Sequence, residues 1–327
     1  MAQDPFSAGV DIGGTKISAV IVNGAGEIVG RAKKKTKAAL GFAEVMNRTA
    51  ECLAQAAEEA GTAVAALNVV GVGAPGPLLP DGTVVNAPNM GWSRVPLSKS
   101  LQTLFHCPVY SENDCNAGTF GEYKLGAGIG AKMLVGLFMG TGLGGGIIID
   151  GKIITGVNYM GAELGHITVQ RGGRVCGCGK RGCLEAYASK TGMGFRFRHA
   201  ILAEKRPSIL HELSGKNLDN VSSSVLKQAW LAHDPVTVET LTEAAEYLGE
   251  GIANFITLLA PDVVVVGGGV FQELGRQLMP IVKRAAKEAC FPAASFRHTK
   301  ILPAKLGDDA VALGALAYAR ERQAAEV

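Results

Sequence analysis

Four strand-length runs of apolar and β-branched residues each carry a cluster of glycines. They are AGVDIGG at Gly13 and Gly14, LNVVGVGAPGP at Gly71 to Gly76, KMLVGLFMGTGLGGGIIID at Gly140 to Gly146, and PDVVVVGGGV at Gly267 to Gly269. Glycine supplies 44 of the 327 residues, well above the ordinary ~7%, and its clustering marks places where backbone bends sharply or approaches a ligand. Helical periodicity fills the intervals: Phe42 to Ala60 sets Phe42, Val45, Met46, Ala50, Leu53 and Ala57 near one face, and Thr240 to Leu259 and Leu274 to Cys290 behave similarly. Strands alternating with helices predict α/β layers. Asp11 to Val22 and Val135 to Ile149 both read as strand, glycine turn, strand, which suggests two related lobes facing each other across a cleft.

At this length one core rarely keeps growing, so two lobes are also the default on size. Hydrophobic residues make up 47% and charged residues 19%, the balance of a compact chain. The 32 Lys plus Arg against 29 Asp plus Glu leave +3, too little for an electrostatic footprint on nucleic acid. No apolar run is long enough to span a membrane and the start lacks a signal-peptide pattern, so a cytoplasmic protein is expected. Met1 to Ser7 show no pattern and are set aside. The KKKTK run from Lys33 to Lys37 reads as a solvated strand end before it reads as a phosphate patch.

In DIGGTK, Asp11 ends a strand, Gly13 and Gly14 are expected to turn with positive φ, and Thr15 and Lys16 supply donors. Exposed amides in such a turn bind anions, and a neighbouring carboxylate can hold Mg²⁺ directly or through water; an ordinary tight hairpin would look the same. GTGLGGG could cradle a second phosphate through Gly140, Thr141 and Gly142, and is neither a Walker A loop nor a dinucleotide fingerprint opening a helix. Gly267, Gly268 and Gly269 close a strand before a helix, suiting either a nucleotide's base or ribose, or close packing. In YSENDCNAG, Asp114 reads as a helix cap or as a general base for a substrate hydroxyl, with Asn113 able to cap or to fix a neighbouring hydroxyl.

VCGCGKRGCLEAY places Cys176, Cys178 and Cys183 within eight residues. Thiolates at this spacing suit a structural zinc, which needs a fourth ligand, and His166 ten residues upstream is the best candidate among the histidines; a redox switch is the alternative. Such a knuckle would fix Glu163, His166 and Glu185 together, a set suited to a ligand covered with hydroxyls. Cys52, Cys107, Cys115 and Cys290 are expected to be buried small hydrophobes.

Through DIGGTK, GAPGP, APNMGW, ENDCNAG, GTGLGGG, GAELGH, CGCGKRGCLE and GGGV, from about Gly9 to Ala317, the chain resembles the ROK family of sugar kinases and sugar-responsive repressors, in particular its bacterial glucokinases. The resemblance implies a two-lobed actin-like ATPase (ribonuclease H-like) fold with a central cleft and a zinc knuckle. It implies a small lobe at residues 8–117 completed by a C-terminal helix at 307–327, and a large lobe at 118–306. It implies ATP as donor with Mg²⁺, structural Zn²⁺ on His166, Cys176, Cys178 and Cys183, and Asp114 as base at the 6-hydroxyl of a hexose. Asn89, Asn113, Glu163, His166 and Glu185 would contact sugar hydroxyls. Asp11, Gly13, Gly14 and Thr15, with Lys16 beside them, match the first phosphate segment, Gly140, Thr141 and Gly142 the second, and Gly267 to Gly269 the adenosine side. A homodimer or homotetramer is expected. A ROK repressor would carry an N-terminal helix-turn-helix domain, and with DIGGTK starting at Asp11 a kinase is expected ahead of a non-catalytic sugar-sensing protein; fructose, mannose or an N-acyl hexosamine as substrate and polyphosphate as donor remain open.

Overall fold

The computed structural model describes residues 6–219 and 221–326. Two five-stranded sheets repeat one topology. The first runs β3 (Ile28–Lys35), β2 (Lys16–Val22), β1 (Ser7–Ile12), β4 (Val70–Ala74), β7 (Val109–Asn113), and the second β10 (Lys152–Ile153), β9 (Leu143–Ile149), β8 (Met133–Met139), β11 (Val263–Gly267), β12 (Lys300–Pro303). In each, an antiparallel meander leads through its hairpin's first strand into two parallel neighbours. The four glycine-linked runs are therefore β1, β4, β8 with β9, and β11. A small hairpin of β5 (Thr83–Ala87) and β6 (Trp92–Pro96) stands apart.

The central parallel strands β4 and β11 are buried at every position, which is why they read as unbroken apolar runs. On the first sheet, α1 (Phe42–Glu59) buries Val45, Met46, Cys52, Leu53, Ala56 and Ala57, with α2 (Leu97–Phe105) beside it. The second sheet carries α3 (Asp114–Leu125) and the helices α4 (Lys190–Arg198), α5 (Leu210–Leu213), α6 (Ser223–Leu231), α7 (Pro235–Leu259), α8 (Gly269–Ala289) and α9 (Ala293–His298). Asp234 caps α7 through Thr237 N at 2.8 Å, with Pro235 in the first helical position. This cap starts α7 five residues before the predicted Thr240, and α8 likewise begins at Gly269 rather than Leu274. β1 includes Ser7, one of the residues set aside, whereas residues 1–5 lie outside the described residues.

The last helix, α10 (Ala310–Ala325), returns to pack on β1 and β4. Glycines make that approach close: a Cβ at Gly9 would lie 2.0 Å from Ala312 O, and one at Gly71 2.0 Å from Ala315 O. α3 packs on β8 and β9 and crosses α10, so the expected boundary between residues 117 and 118 falls inside a helix. At the crossing, a Cβ on Gly314 would lie 1.8 Å from Ala117 O. Glu122 is wholly buried there and accepts the amides of Ala127, Lys305 and Leu306 at 2.8 to 2.9 Å, tying the end of α3 to the chain entering α10.

Among the described residues no helix is long and apolar enough to cross a membrane.

Candidate active site

The two hairpin turns share one hydrogen-bonding pattern. Gly13 N donates to Lys16 O and Gly140 N to Gly142 O, both at 2.9 Å, closing each turn. The amides of Gly14 and Thr15, and of Thr141 and Gly142, have no backbone acceptor in the described network, leaving two pairs of donors for an anion. None of Gly13, Gly14, Gly140 and Gly142 has a positive φ, so the expectation of left-handed glycines in DIGGTK is corrected. What glycine supplies at Gly14 is open space, with nothing within 4 Å of a built Cβ. The remaining glycines of GTGLGGG lie inside β9 and serve packing: a Cβ at Gly144 would lie 2.2 Å from Cys115 Sγ, and one at Gly146 2.8 Å from Thr119 Oγ1 on α3.

At the β7 to α3 junction, Asn113 is the cap. Its Oδ1 accepts Cys115 N and Asn116 N at 2.9 and 3.0 Å, and its Nδ2 donates to Gly76 O at 3.2 Å, leaving one N–H for a ligand. Asp114 occupies the first helical position, with Oδ1 accepting Cys115 N at 2.8 Å. The capping explanation of Asp114 thus passes to its neighbour, and the Asp114 carboxylate faces the cleft.

Two cavities meet at Asp114. The first, of about 470 Å³, is lined by Asn89, Asn113, Asp114, Glu163, His166 and Glu185 together with Gly140, Thr141 and Gly142. The second, of about 240 Å³, is lined by Asp11, Lys16, Asp114, Gln272, Asp308 and the Gly267 to Gly269 segment. Gly268 takes φ 90° and caps α8 with no side chain, so the free amides of that helix start open on the second cavity. Gly13, Gly14 and Thr15 stand outside the walls of both cavities. Lys16 is directed to Asp308 at 3.5 Å, which Lys33 also approaches at 3.2 Å; these cations hold Asp308 below the usual carboxylate range. The rest of the lysine run is as expected, a strand end in which Lys34 pairs with Glu51.

Electrostatics single out the same carboxylates. Burial, with repulsion from Asp114 and against the pull of Lys16, raises Asp11 to about 7. Burial also raises Asp114, opposed by the Cys115 hydrogen bond and reinforced by Glu163. Glu163 is raised by desolvation, with His166 opposing and Glu185 adding. Cys115 departs from the expected buried hydrophobe: it lines both cavities beside Asp114, and burial keeps it a thiol. Cys52, Cys107 and Cys290 are buried as expected.

His166, Cys176, Cys178 and Cys183 bring their ligand atoms within 4.8 Å of one another. The Cys176 Sγ to His166 Nδ1 distance is 3.6 Å and the Cys178 Sγ to Cys183 Sγ distance 3.7 Å. A tetrahedral zinc with bonds of about 2.3 Å to sulfur and 2.0–2.1 Å to nitrogen would set these separations near 3.5 and 3.8 Å, so the four residues fit the ion. Tyr187 stacks on Tyr247 of α7 at 4.0 Å, and Arg174 covers Tyr187 while gripping Glu243 at 2.8 and 2.9 Å, fastening the knuckle to that helix. Glu185 Oε2 accepts Leu143 N at 2.9 Å, which joins the knuckle to β9.

The sequence reading passed over Glu112, Gln272, Asp308 and Tyr159, all of which line the cleft. Glu112 stands in ENDCNAG and Gln272 three residues past Gly269; Tyr159 and Asp308 lie outside any glycine or cysteine cluster and become neighbours of the site only through folding.

Two sheets of repeated topology enclosing a cleft, with one cavity lined by polar side chains and a glycine turn and a second, lined by the Gly267 to Gly269 segment, meeting it at Asp114, fit a two-lobed sugar kinase. The chain belongs to the ROK family, whose sequence model matches residues 7–322. A ROK family glucokinase from Streptomyces griseus, solved in complex with glucose and AMPPNP, superposes with a TM-score of 0.85 at 34% identity, over 97% of this chain and 99% of that one. A glucokinase of Halalkalibacterium halodurans is 35% identical over 95% of this chain and 94% of its own length. A xylose repressor of Caldicellulosiruptor bescii is 30% identical over 94% of this chain and 76% of the repressor.

Proposed function

We propose that this protein transfers the γ-phosphoryl group of ATP to the 6-hydroxyl of a hexose, with glucose the first candidate and Asp114 the general base. The observation that carries the reading is the sharing of Asp114 between the two cavities. A hexose in the larger one would present a hydroxyl to Asp114, and a nucleotide along the smaller one would bring its terminal phosphate to the same carboxylate. Asn89, the free N–H of Asn113, Glu163, Glu185 and the His166 nitrogen not turned to the thiolates would hold the remaining hydroxyls.

Phosphoryl transfer leaves the protein little covalent work, so positioning and charge neutralisation dominate. The unpaired amides of both turns and the open start of α8 are suited to phosphate oxygens. Asp11, an anion destabilised by burial and by Asp114, fits a Mg²⁺ ion held directly or through water; the ion would neutralise charge on the phosphates. The raised affinity of Asp114 for a proton makes it a better acceptor than a surface carboxylate. Drawing the sheets together would exclude water and limit hydrolysis of the donor. Zinc on the Cys₃His set would be structural, since all four positions are filled by protein. A homodimer or homotetramer in the cytoplasm completes the proposal.

The repressor relative supports a second reading, sugar sensing without turnover. A coupled assay of the purified chain against glucose, fructose, mannose and N-acyl hexosamines, with ATP or polyphosphate, separates them. Sugar phosphate should form with ATP and fastest from glucose; hexose binding without phosphate transfer would establish the sensing role instead.

A further inference from the structure

A third cavity, of about 430 Å³, adjoins the sugar-side cavity and lies between elements of both sheets, with β7 and α10 on one side and β10 on the other. Leu78, Glu112 and Tyr159 belong to the walls of both, yet nothing in phosphoryl transfer uses this space. Its wall carries polar atoms with unused hydrogen-bonding capacity. Glu112, only 8% exposed, spends Oε1 on Asn113 N and Asn116 Nδ2 at 2.9 and 3.1 Å, and its Oε2 has no hydrogen bond among the described residues. Ser111, 7% exposed, accepts the Ser98 hydroxyl at 2.8 Å, and Tyr318 accepts Arg322 at 3.2 Å; neither of their own hydroxyl protons has an acceptor among the described residues. One free acceptor and two free donors on the cavity wall match hydroxyl groups, each of which can both donate and accept. Leu78, Leu79, Phe120 and Ile153 supply apolar surface for the C–H face of a ring.

The accessible edge is cationic. Lys152 is exposed and has no ion pair among the described residues, and Arg322 reaches an acid only at 4.0 Å, to Glu326. Glu321, also on the wall, is neutralised by Lys124.

We propose that this cavity is a second ligand site, for a hexose-sized polyhydroxyl molecule carrying one anionic group, a sugar phosphate or a sugar acid. Its hydroxyls meet Glu112, Ser111 and Tyr318, and its anionic group meets Lys152 and Arg322. A molecule seated there touches elements of both sheets and so opposes their movement across the cleft. The inference depends on the proposed kinase function only for which cavity the substrates fill.

Calorimetric titration tests it on the full chain, with glucose and a non-hydrolysable ATP analogue saturating the first two cavities. Glucose 6-phosphate and glucuronate are the two anionic titrants, and further free glucose is the neutral one. At least one anion should bind, and that affinity should fall about tenfold or more in both Lys152→Ala and Arg322→Ala, the loss expected for one charge-assisted hydrogen bond. The titrant that binds identifies the source, phosphate or carboxylate, and turnover of both variants without the anion should stay within about twofold of the parent. The proposal is overturned if neither anion binds, if both variants bind as the parent does, or if free glucose binds equally well. Failure of the kinase assay would remove the function proposed above and leave this titration readable, because the variants alter the anion's binding and not the substrates'.

Discussion

Asp114→Asn separates chemistry from architecture. The amide keeps the size of the side chain and an oxygen for Cys115 N, and the cap of α3 belongs to Asn113, so the helix start should survive. What disappears is the proton acceptor between the two cavities. A positioned general base is worth about 10² to 10⁴ in rate, which corresponds to about 3–5 kcal/mol of transition-state stabilisation. In a coupled assay of ADP release at saturating hexose and ATP, kcat should fall by that factor while the KM for the sugar changes far less.

Stability should move the other way. Burial lifts Asp114 above its ordinary value, so its contribution to folding is complete below the unfolded-state pKa and is lost as pH rises through the folded one. At pH 8 the Asn variant should melt no lower than the parent, and the acid limb of kcat/KM in the parent should lie above the range of an ordinary carboxylate. A variant within twofold of the parent rate would refute the base. Lost activity together with a large fall in melting temperature would refute the separation, and would return Asp114 to a structural role.

Asp11 carries the clearest pH signature: with its folded value about 7 against an ordinary 3.8, the metal-free protein should lose stability progressively as pH rises from 3.8 to about 7, and Asp11→Asn should abolish that slope in thermal melts. Metal analysis of protein purified without added zinc should give about one ion per chain, and Cys178→Ser should lower that content and raise the KM for the sugar, because His166 and Glu185 lose their common anchor. Glu122→Ala removes the buried carboxylate that three amides share at the junction of α3 and α10 and should cost about 3 kcal/mol, read as a lower urea midpoint; an unchanged midpoint would show that water replaces the carboxylate.

What the sequence displayed was local in origin. Glycine clusters beside β-branched runs revealed the four central strands, because a strand buried on both faces has no polar alternation to hide it. The Cys and His spacing was legible because four ligands around one ion restrict the backbone between them. The roles within those motifs were less legible. Gly144 and Gly146 look like phosphate-loop glycines and are packing glycines under α3, a distinction that depends on which helix lies across the strand. Asn113 and Asp114 are adjacent and both can cap, so only the observed backbone shows which one is spent on the helix. Asp308 reaches the cleft from near the end of the chain with no pattern in its own neighbourhood to mark it, and Gln272, three residues past Gly269, is marked only once α8 is seen to start there.

The placement of Asp114 has a mechanical consequence. Its helix, α3, rests on the second sheet, whereas β7, from which it emerges, belongs to the first. α10 rests on the first sheet and crosses α3 at Gly121 and Gly314, where backbone meets backbone with no side chain between. A contact of that kind has little compliance along the line between the helix axes, but it can rotate, since no interdigitated side chains resist turning. Movement of one sheet against the other is therefore best accommodated by rotation about this crossing. Asp114 starts the same helix, seven residues or about 10 Å before Gly121, so a rotation about the crossing would carry it through a short arc. Under the proposed function, such an arrangement would limit the displacement of Asp114 from the sugar hydroxyl while the phosphate is delivered.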